Sequence, residues 1–176
     1  MSKIEAGKYD LTPSIIDGKK IAEECIALVA GQVGGVQVAP NLAIQGDGRI
    51  YADELALRKI LLNLVGNAVK FTPPGGHITV TLAPLDAGRL VTITDTGIGM
   101  DEAGISKALE PFGQAASDAR PHGSGLGLTI VTRLVEAHGG RFTIDSAPGC
   151  GTAIVIWLPD PPAHHVSHQA VWTPLE

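Results

Sequence analysis

The sequence predicts an α/β fold, a two-layer sandwich in which helices pack on one face of a mixed, mostly antiparallel sheet. Short runs that alternate between apolar and polar residues are typical of strands, and they occur at residues 77–82 and 91–94; residues 141–146 and 152–158 are expected to form a final hairpin. Three longer segments repeat apolar residues at helical spacing. A chain of 176 residues, 44% of them hydrophobic, is long enough to bury one core of this kind.

The N-terminal half is expected to contain a helix, a short broken strand, a turn and a second helix, over residues 10–30, 36–44, 46–48 and 53–71. Pro13 suits the first turn of the first helix, and Gly34-Gly35 ends it. Asp53 is a suitable N-cap for the second helix, and the Pro73-Pro74-Gly75-Gly76 turn cannot continue that helix.

The C-terminal half is expected to alternate strands with two further helices. In chain order we predict a strand over 77–82, a connecting turn over 83–90, a strand over 91–94, a helix over 101–109, a loop over 113–124, a helix over 126–138 and a hairpin over 141–158. The loop lacks periodicity and is expected to be mobile. Gly139-Gly140 provides a C-cap for the last helix.

Charge and composition argue against several classes of protein. A net charge of -5 is unfavourable for a nucleic-acid partner. Two cysteines, Cys25 and Cys150, do not make a disulfide framework and suit a reducing compartment. The first residues lack the apolar core of a signal peptide, and no apolar run has the length of a membrane span. We therefore expect a cytoplasmic domain that makes no membrane contact.

Three polar residues share one narrow face of the helix predicted over 53–71. At 100° per residue, Asn67 lies about 40° from Asn63, and Lys70 lies about 20° to the other side. The apolar residues lie on the opposite side: Ile60, Leu61, Leu64, Val65 and Ala68. A solvated face is the commoner explanation, but such faces carry Glu and Lys rather than two Asn. A carboxamide oxygen suits Mg²⁺ and an ammonium suits phosphate, so the pattern favours a binding face.

Two glycine-rich turns follow this helix. Asp95-Thr-Gly-Ile-Gly99 ends a β-branched strand, where glycines let the backbone approach a flat ligand, although a simple strand-ending turn looks the same. Gly123-Ser-Gly-Leu-Gly127 opens a helix, whose N-terminus is an anion site, although a hinge is an alternative. It is neither a GxxxxGK[ST] loop nor an early βαβ dinucleotide fingerprint.

Five motifs in order resemble those of one known domain: the asparagine box over Asn63–Lys70, Asp95-x-Gly-x-Gly99, Glu110-Pro-Phe112, Gly123-x-Gly-x-Gly127 and Gly149-x-Gly-Thr152. The chain resembles, over residues 47–159, the catalytic ATP-binding domain of bacterial two-component sensor histidine kinases. These kinases belong to the superfamily that also holds gyrase, Hsp90 and MutL. The resemblance implies the Bergerat-type ATP-binding fold, with ATP and Mg²⁺ as cofactors.

The resemblance implies a role for each matching residue. The implied cofactor-binding set is Asn63, Asn67, Lys70, Phe71, Asp95, Gly97, Gly99, Phe112, Gly123, Ser124, Gly125, Leu126, Gly127, Leu128 and Thr152. Asp95 would accept a hydrogen bond from the adenine amino group, with support from Thr152, and Phe71 would line the adenine site. Asn67 would be the magnesium ligand, and Asn67 and Lys70 would be the catalytic residues.

The remaining implied roles concern the phosphates. Backbone groups over 125–128 would hold the triphosphate, and residues 113–124 would form a lid over the nucleotide. Phe112 would anchor this lid, although core packing explains a phenylalanine equally well. The ATP-hydrolysing members of the superfamily carry a Glu four residues before the magnesium Asn, where this chain has Asn63. A neutral amide cannot act as a general base, so we expect ATP to be bound but hydrolysed poorly.

Phosphoryl transfer would require a histidine on a dimerisation hairpin that this chain does not match. Residues 1–10 are expected to be the end of that hairpin or a linker, 11–159 the catalytic domain, and 160–176 a disordered tail. The expected partners are the hairpin of the same kinase and the receiver domain of a response regulator. The full-length protein could still be tethered to a membrane.

Three other functions stay open at this point. The first is a non-catalytic module of a degenerate kinase, which binds nucleotide or only a partner; Asn67, Asp95 and the glycines oppose lost binding but say nothing about transfer. The second is a serine kinase of the anti-sigma type, against which Glu110-Pro-Phe112 favours the histidine branch. The third is an ATPase clamp, which Asn63 and the short chain disfavour.

Overall fold

The computed structural model describes residues 10–32, 38–113 and 125–162. Its elements, in chain order, are β1 (Ser14–Asp17), α1 (Gly18–Gln32), β2 (Asn41–Ile44), β3 (Arg49–Ala52), α2 (Glu54–Phe71), β4 (Ile78–Leu85), β5 (Gly88–Asp95), α3 (Glu102–Leu109), α4 (Gly127–Ala137), β6 (Arg141–Ala147) and β7 (Gly151–Pro159). No helix within these ranges combines the length and the apolarity that a bilayer crossing requires.

Five of the strands form one mixed sheet in the order β2-β4-β5-β7-β6. β2 runs parallel to β4, and the other neighbouring pairs are antiparallel. β1 and β3 pair with each other in a separate antiparallel ribbon. The predicted fold class, a mostly antiparallel sheet with helices packed on it, is confirmed.

The core lies between the helices and one face of the sheet. On β5, Val91 and Ile93 are buried, whereas the residues between and after them are more exposed, as period-2 alternation requires. The apolar face of α2 supplies the largest group of buried residues, which are Ala56, Leu57, Ile60, Leu61, Leu64, Val65 and Ala68. The predicted apolar stripe of this helix is therefore confirmed, and it leaves the opposite face for Asn63, Asn67 and Lys70.

Both ends of α2 fall where the sequence predicted them. The Asp53 carboxylate accepts a hydrogen bond from the Ala56 N–H at 2.9 Å, which caps the first turn. At the other end, the Thr72 hydroxyl donates to the Ala68 carbonyl at 2.6 Å, and Pro73 follows directly. The helix that carries the polar face is thus fixed by residues at both termini.

The prediction for the N-terminal segment was wrong at two places. Residues 14–17 form β1 rather than the start of a helix, and they pair with residues 49–52, for which the sequence predicts no helix or strand. Such four-residue strands depend on a partner far away in the chain rather than on a local pattern. Of the predicted strand over 36–44, residues 41–44 form β2, residues 38–40 do not belong to a strand, and 36–37 lie outside the described residues.

Two further boundaries differ from the prediction. β4 and β5 extend through most of the predicted connecting turn over 83–90, so only Asp86 and Ala87 remain between them. Asp86 has a φ of 49°, in the left-handed region that tight hairpin turns require. Three predicted segments lie largely outside the described residues. They are the lid, of which residues 114–124 are not described, the hairpin end or linker, of which residues 1–9 are not described, and the tail, of which residues 163–176 are not described.

Candidate functional site

The polar face of α2 meets the first residue of α4. A Cβ placed on Gly127 would lie 2.8 Å from Asn63 Oδ1 and 3.9 Å from Asn67 Nδ2. The Asn63 amide donates to the Lys59 carbonyl at 2.8 Å, so its oxygen is the atom left to face α4. The fold therefore brings together two motifs that are about sixty residues apart in the chain.

The N-terminus of α4 has the properties of an anion site. Its N-cap is Leu126, whose side chain has no acceptor, so the cap residue does not satisfy the first N–H groups of the helix. These groups and the helix dipole favour a negative group. Leu128 is buried and packs in the core, so only its backbone can face a ligand. Gly123 and Ser124 lie outside the described residues.

Lys70 and Phe71 lie at the C-terminal end of the same helix. The Lys70 ammonium lies 4.8 Å from the centroid of the Phe71 ring, within the range of a cation–π interaction. Phe71 is 36% exposed, so the residue offers a flat apolar surface. The Phe71 carbonyl accepts the Ile98 N–H at 3.2 Å, which joins the end of α2 to the loop after Asp95.

Asp95 is the last residue of β5 and lies on the face of the sheet that packs against the helices. Its Oδ1 accepts the Gly97 N–H at 2.8 Å. Burial raises the pKa of this carboxyl above its usual value, although the backbone N–H groups of Gly97 and Thr152 act in the opposite direction. A Cβ on Gly97 would lie 2.7 Å from Asp95 Oδ1 and 2.5 Å from the Phe71 carbonyl oxygen, so the turn requires glycine here.

The turn between β6 and β7 packs against the loop after Asp95. The Gly149 N–H donates to the Ile98 carbonyl at 2.7 Å. Gly99 and Gly151 have φ values of 63° and 79°, and a Cβ on Gly151 would overlap the Asp95 carbonyl. These glycines therefore allow a close approach of two backbones, whereas the sequence predicted for Gly97 and Gly99 a close approach of the backbone to a ligand, which stays a prediction.

Ser146 is a residue of this site that the sequence analysis missed. Its hydroxyl accepts the Met100 N–H at 2.9 Å, donates to the Gly151 carbonyl at 2.8 Å and lies 3.0 Å from the Thr152 hydroxyl. The signal was present: on the face of β6 that carries Ile144, the last position is polar. A polar residue on the strand face that points to the core indicates a hydrogen-bond partner near that end of the strand.

The two flanks of the predicted lid are in contact. A Cβ on Gly125 would lie 2.9 Å from the Gly113 carbonyl oxygen and 2.7 Å from the carbonyl carbon of Phe112. Phe112 is 74% exposed and has a φ of 63°, a strained backbone conformation for an aromatic residue. The explanation of Phe112 as a core residue is therefore wrong, whereas its role as a lid anchor stays a prediction.

A cavity of about 390 Å³ opens at the Asp95 end of the sheet. Asp95, Ser146 and Thr152 line part of it, and its other described lining residues also come from β5, β6, β7 and the turn before β7. The asparagines of α2 are not among them, so the cavity covers only one end of the region that the motifs define.

Within the described chain, the donor set fits a nucleotide with a divalent cation. Oxygen ligands suit Mg²⁺, and the amide of Asn67 lies beside a helix N-terminus that suits phosphate. The acceptor Asp95 suits a ligand that donates a hydrogen bond, and the Phe71 ring suits a flat base. The two ends are joined by α2 and by the contact of Phe71 with the loop after Asp95.

Comparison with known proteins gives consistent matches. Residues 52–162 match the model of a family described as histidine kinase-, DNA gyrase B-, and HSP90-like ATPases. The histidine protein kinase DivJ of Caulobacter vibrioides is 37% identical over 162 residues, which cover 90% of this chain and 27% of DivJ. The chain spans about a third or less of the length of the curated relatives that it matches.

Solved structures agree with the sequence matches. The mycobacterial sensor histidine kinase MprB superposes with a TM-score of 0.74 at 31% identity, over 85% of this chain and 99% of that one. Full-length ShkA, solved in complex with AMPPNP, superposes with a TM-score of 0.73 at 30% identity, over 86% of this chain and 32% of that one.

Proposed function

The chain belongs to the family of histidine kinase-, DNA gyrase B- and HSP90-like ATPases, and we propose that it is the catalytic domain of a bacterial sensor histidine kinase. It binds Mg-ATP and presents the γ-phosphoryl group to a histidine on a separate dimerisation hairpin. The observation that carries this proposal is the proximity of Gly127 to Asn63 and Asn67, because a Cβ on Gly127 would lie 2.8 Å from Asn63 Oδ1 and 3.9 Å from Asn67 Nδ2.

The base of the nucleotide lies at the Asp95 end in this proposal. The Asp95 carboxylate accepts a hydrogen bond from the adenine amino group, and Thr152 lies beside it as its register partner. Phe71 offers its ring to the base, while Gly97 and Gly99 let the backbone approach it closely. ShkA, which is solved with AMPPNP, supports ATP as the nucleotide.

The triphosphate lies at the N-terminus of α4. Backbone groups over 125–128 hold the phosphate oxygens, and Lys70 approaches them as a point charge. Asn67 is the protein ligand of Mg²⁺, with Asn63 beside it. When bound, Mg²⁺ supplies positive charge that offsets the charge of the phosphates during transfer. Residues 113–124 act as a lid that Phe112 anchors, and the lid keeps water away from the reacting group.

With Asn63 at this position, bound ATP is hydrolysed only slowly. The side chain has no basic group, and its amide nitrogen donates one hydrogen to the Lys59 carbonyl. Catalysis then consists of holding the γ-phosphoryl group in line with a nucleophile that arrives from outside. The domain over 11–159 is accordingly inactive in transfer until the hairpin is supplied.

The partners follow from the same proposal. The dimerisation hairpin of the same kinase supplies the phosphoaccepting histidine, and the receiver domain of a response regulator takes the phosphoryl group next. The curated relatives are much longer than this chain and carry the name of histidine kinases, which supports such partners. We place the domain in the cytoplasm, where ATP and the response regulator are available.

Calorimetric titration of AMPPNP into the 176-residue chain, with and without Mg²⁺, tests the site. We expect binding that depends on Mg²⁺. Adding the parent kinase's hairpin and labelled ATP should then give phosphohistidine, with little phosphate release in its absence. Binding without any transfer to the hairpin would favour a non-catalytic module of a degenerate kinase, and no binding by folded protein would refute the site.

A further inference from the structure

Ser146 lies at the centre of three hydrogen bonds that join the loop after Asp95 to β7. Its Oγ lies 2.9 Å from the Met100 nitrogen, 2.8 Å from the Gly151 carbonyl oxygen and 3.0 Å from the Thr152 hydroxyl oxygen. The side chain is half-buried, and it lines the cavity at the Asp95 end of the sheet. Each of these bonds has a definite direction, which decides what Thr152 can offer a ligand.

The direction of the bond to Thr152 follows from the other two. A serine hydroxyl has one hydrogen and two lone pairs. The Gly151 carbonyl can only accept, so it takes the single hydrogen of Ser146, and the Met100 N–H occupies one lone pair. The other lone pair faces Thr152, which donates its own hydroxyl hydrogen to Ser146.

Thr152 is then left with lone pairs alone for a ligand. Asp95 is its register partner on β5, and an ionised carboxylate also only accepts. The hydrogen bonds that hold the Asp95 side chain come from backbone N–H groups, those of Gly97 and Thr152. The hydroxyl hydrogen of Thr152 is therefore committed to Ser146 rather than to Asp95.

We propose that Ser146 is a positioning residue that sets base specificity by holding the Thr152 hydroxyl as an acceptor. The Asp95 carboxylate and the Thr152 hydroxyl then offer the base hydrogen-bond acceptors only. Such acceptors fit the 6-amino group of adenine and disfavour the carbonyl oxygen of a 6-oxopurine. An acceptor that faces another acceptor leaves both desolvated without a partner, which is a strong source of discrimination. This inference rests on the proposed function, because it takes the Asp95 end as the base site.

Calorimetry on the 176-residue chain tests the proposal with two probes in the presence of Mg²⁺, AMPPNP and the inosine counterpart of AMPPNP. Ser146→Ala frees the Thr152 hydroxyl to rotate and donate to the 6-oxo group. We expect the preference for the adenine probe, measured as the ratio of the two Kd values, to fall roughly tenfold, the worth of one hydrogen bond near a charge.

Thr143→Ala is the matched control. Thr143 lies on the same strand, but it is exposed, and strand alternation places it on the opposite face from Ser146. Its variant should keep the wild-type ratio. Ser146→Cys serves as a second variant should Ser146→Ala fail to fold, because a thiol is a weak acceptor and should give an intermediate ratio.

Thr152→Val separates a role in specificity from a merely structural one. Without the Thr152 hydroxyl there is nothing to reorient, so adding Ser146→Ala to Thr152→Val should leave the ratio as it is in Thr152→Val alone. The proposal is overturned if Ser146→Ala and Ser146→Cys keep the wild-type ratio. It is also overturned if adding Ser146→Ala to Thr152→Val lowers the ratio by the same factor as Ser146→Ala lowers it in the wild type. Wild-type protein that binds neither probe would instead refute the proposed function itself.

Discussion

Asp95 carries a charge in a place where burial opposes it. Its carboxylate is half-buried and is supported by two backbone N–H groups, and the balance still raises its pKa. A carboxyl whose pKa is higher in the folded state binds protons more readily there. The free energy of unfolding therefore decreases as pH rises from the pKa of the unfolded state to the pKa of the folded state. At any pH above the folded-state pKa, the ionised Asp95 destabilises the fold by the full amount. At neutral pH the ionised Asp95 therefore lowers the stability of the fold, while its charge serves ligand recognition.

Asp95→Asn should accordingly make the domain more stable at neutral pH while weakening nucleotide binding. The amide keeps one acceptor atom but loses the charge, and a hydrogen bond to a charged group contributes about 1.5–3 kcal/mol. We expect a higher Tm and a loss of AMPPNP affinity of about tenfold or more. Asp86→Asn, in the turn before β5, is the control that should change neither. A lower Tm with unchanged affinity would contradict both parts.

Asn67→Ala should remove the dependence of nucleotide affinity on Mg²⁺. The amide oxygen is the protein ligand that the proposal assigns to the ion, and its loss leaves the phosphates to hold Mg²⁺ without the protein. Titrations of AMPPNP with and without Mg²⁺ should then give similar Kd values. Asn41→Ala, at an exposed position of β2, should keep the wild-type difference. A persistent magnesium effect in Asn67→Ala would place the metal ligand elsewhere.

At the scale of elements, His138 joins the end of α4 to the start of α2. Its Nδ1 lies 2.6 Å from the Leu134 carbonyl oxygen, which can only accept, so this nitrogen carries the hydrogen. Its Nε2 is then the acceptor for the Asp53 N–H at 3.0 Å. The sequence placed His138 at a helix C-terminus but did not indicate this contact. Since α2 and α4 also meet at Gly127, the two helices are held together at two points.

His138→Ala should destabilise the domain by about 1–3 kcal/mol, because it leaves the Asp53 N–H without its acceptor. Urea denaturation measures the change. His77→Ala, at an exposed position before β4, is the matched control and should cost much less. If both variants lose the same stability, the contact between α4 and α2 contributes nothing of its own.

The N-cap of α2 should make stability sensitive to acid. Burial works against the ionised form of Asp53, but hydrogen bonds from Ala56 and Thr12 and the nearby His138 outweigh it and lower its pKa. A lowered folded pKa gives stability that is fully present above the unfolded value and is lost as pH falls through the folded value.

Asp53→Asn tests this dependence. Asparagine also caps helices, so we expect a loss of no more than about 1 kcal/mol at neutral pH. The stability difference between wild type and variant should shrink as pH falls below the usual range of an aspartate. Urea denaturation across a pH series measures it, and a difference that persists at the lowest pH would contradict the role of the ionised carboxylate.

At the scale of the whole molecule, the proposed site joins parts of both layers. The Asp95 end belongs to the sheet, the asparagines belong to α2, and the anion site belongs to α4. A ligand that bridges these elements binds the folded state only, so it must stabilise the whole domain.

AMPPNP with Mg²⁺, at a hundred times its Kd, should stabilise the folded chain by about 2.7 kcal/mol and raise Tm by about 5–10 °C. Adenosine reaches only the Asp95 end and binds more weakly, so at the same concentration it should raise Tm much less. Thermal melts followed by circular dichroism give both values. Equal shifts for the two ligands would mean that the α4 end makes no contribution.

The sequence alone determined those features whose signal is local. The apolar stripe and polar face of α2 follow from a period of 3.6, its ends follow from Asp53 and Pro73, and the glycines mark tight turns. Alternating runs predicted β4 and β5, a hairpin across the turn over 147–151 predicted β6 and β7, and the order of the motifs predicted the family. Each element and each single motif can be read within one short window of the chain, and the order of the motifs needs only the linear sequence.

Only the tertiary structure decided which distant residues meet. The pairing of β1 with β3, the link from His138 to Asp53 and the hydrogen bonds of Ser146 have no local signature. Each joins positions that the chain separates by between five and eighty-five residues, and the contact depends on the partner residue rather than on the local sequence pattern. The meeting of Gly127 with Asn63 is of the same kind. The sequence therefore predicted the parts of the site, while packing of the helices and the sheet set their geometry, because long-range contacts depend on the whole core.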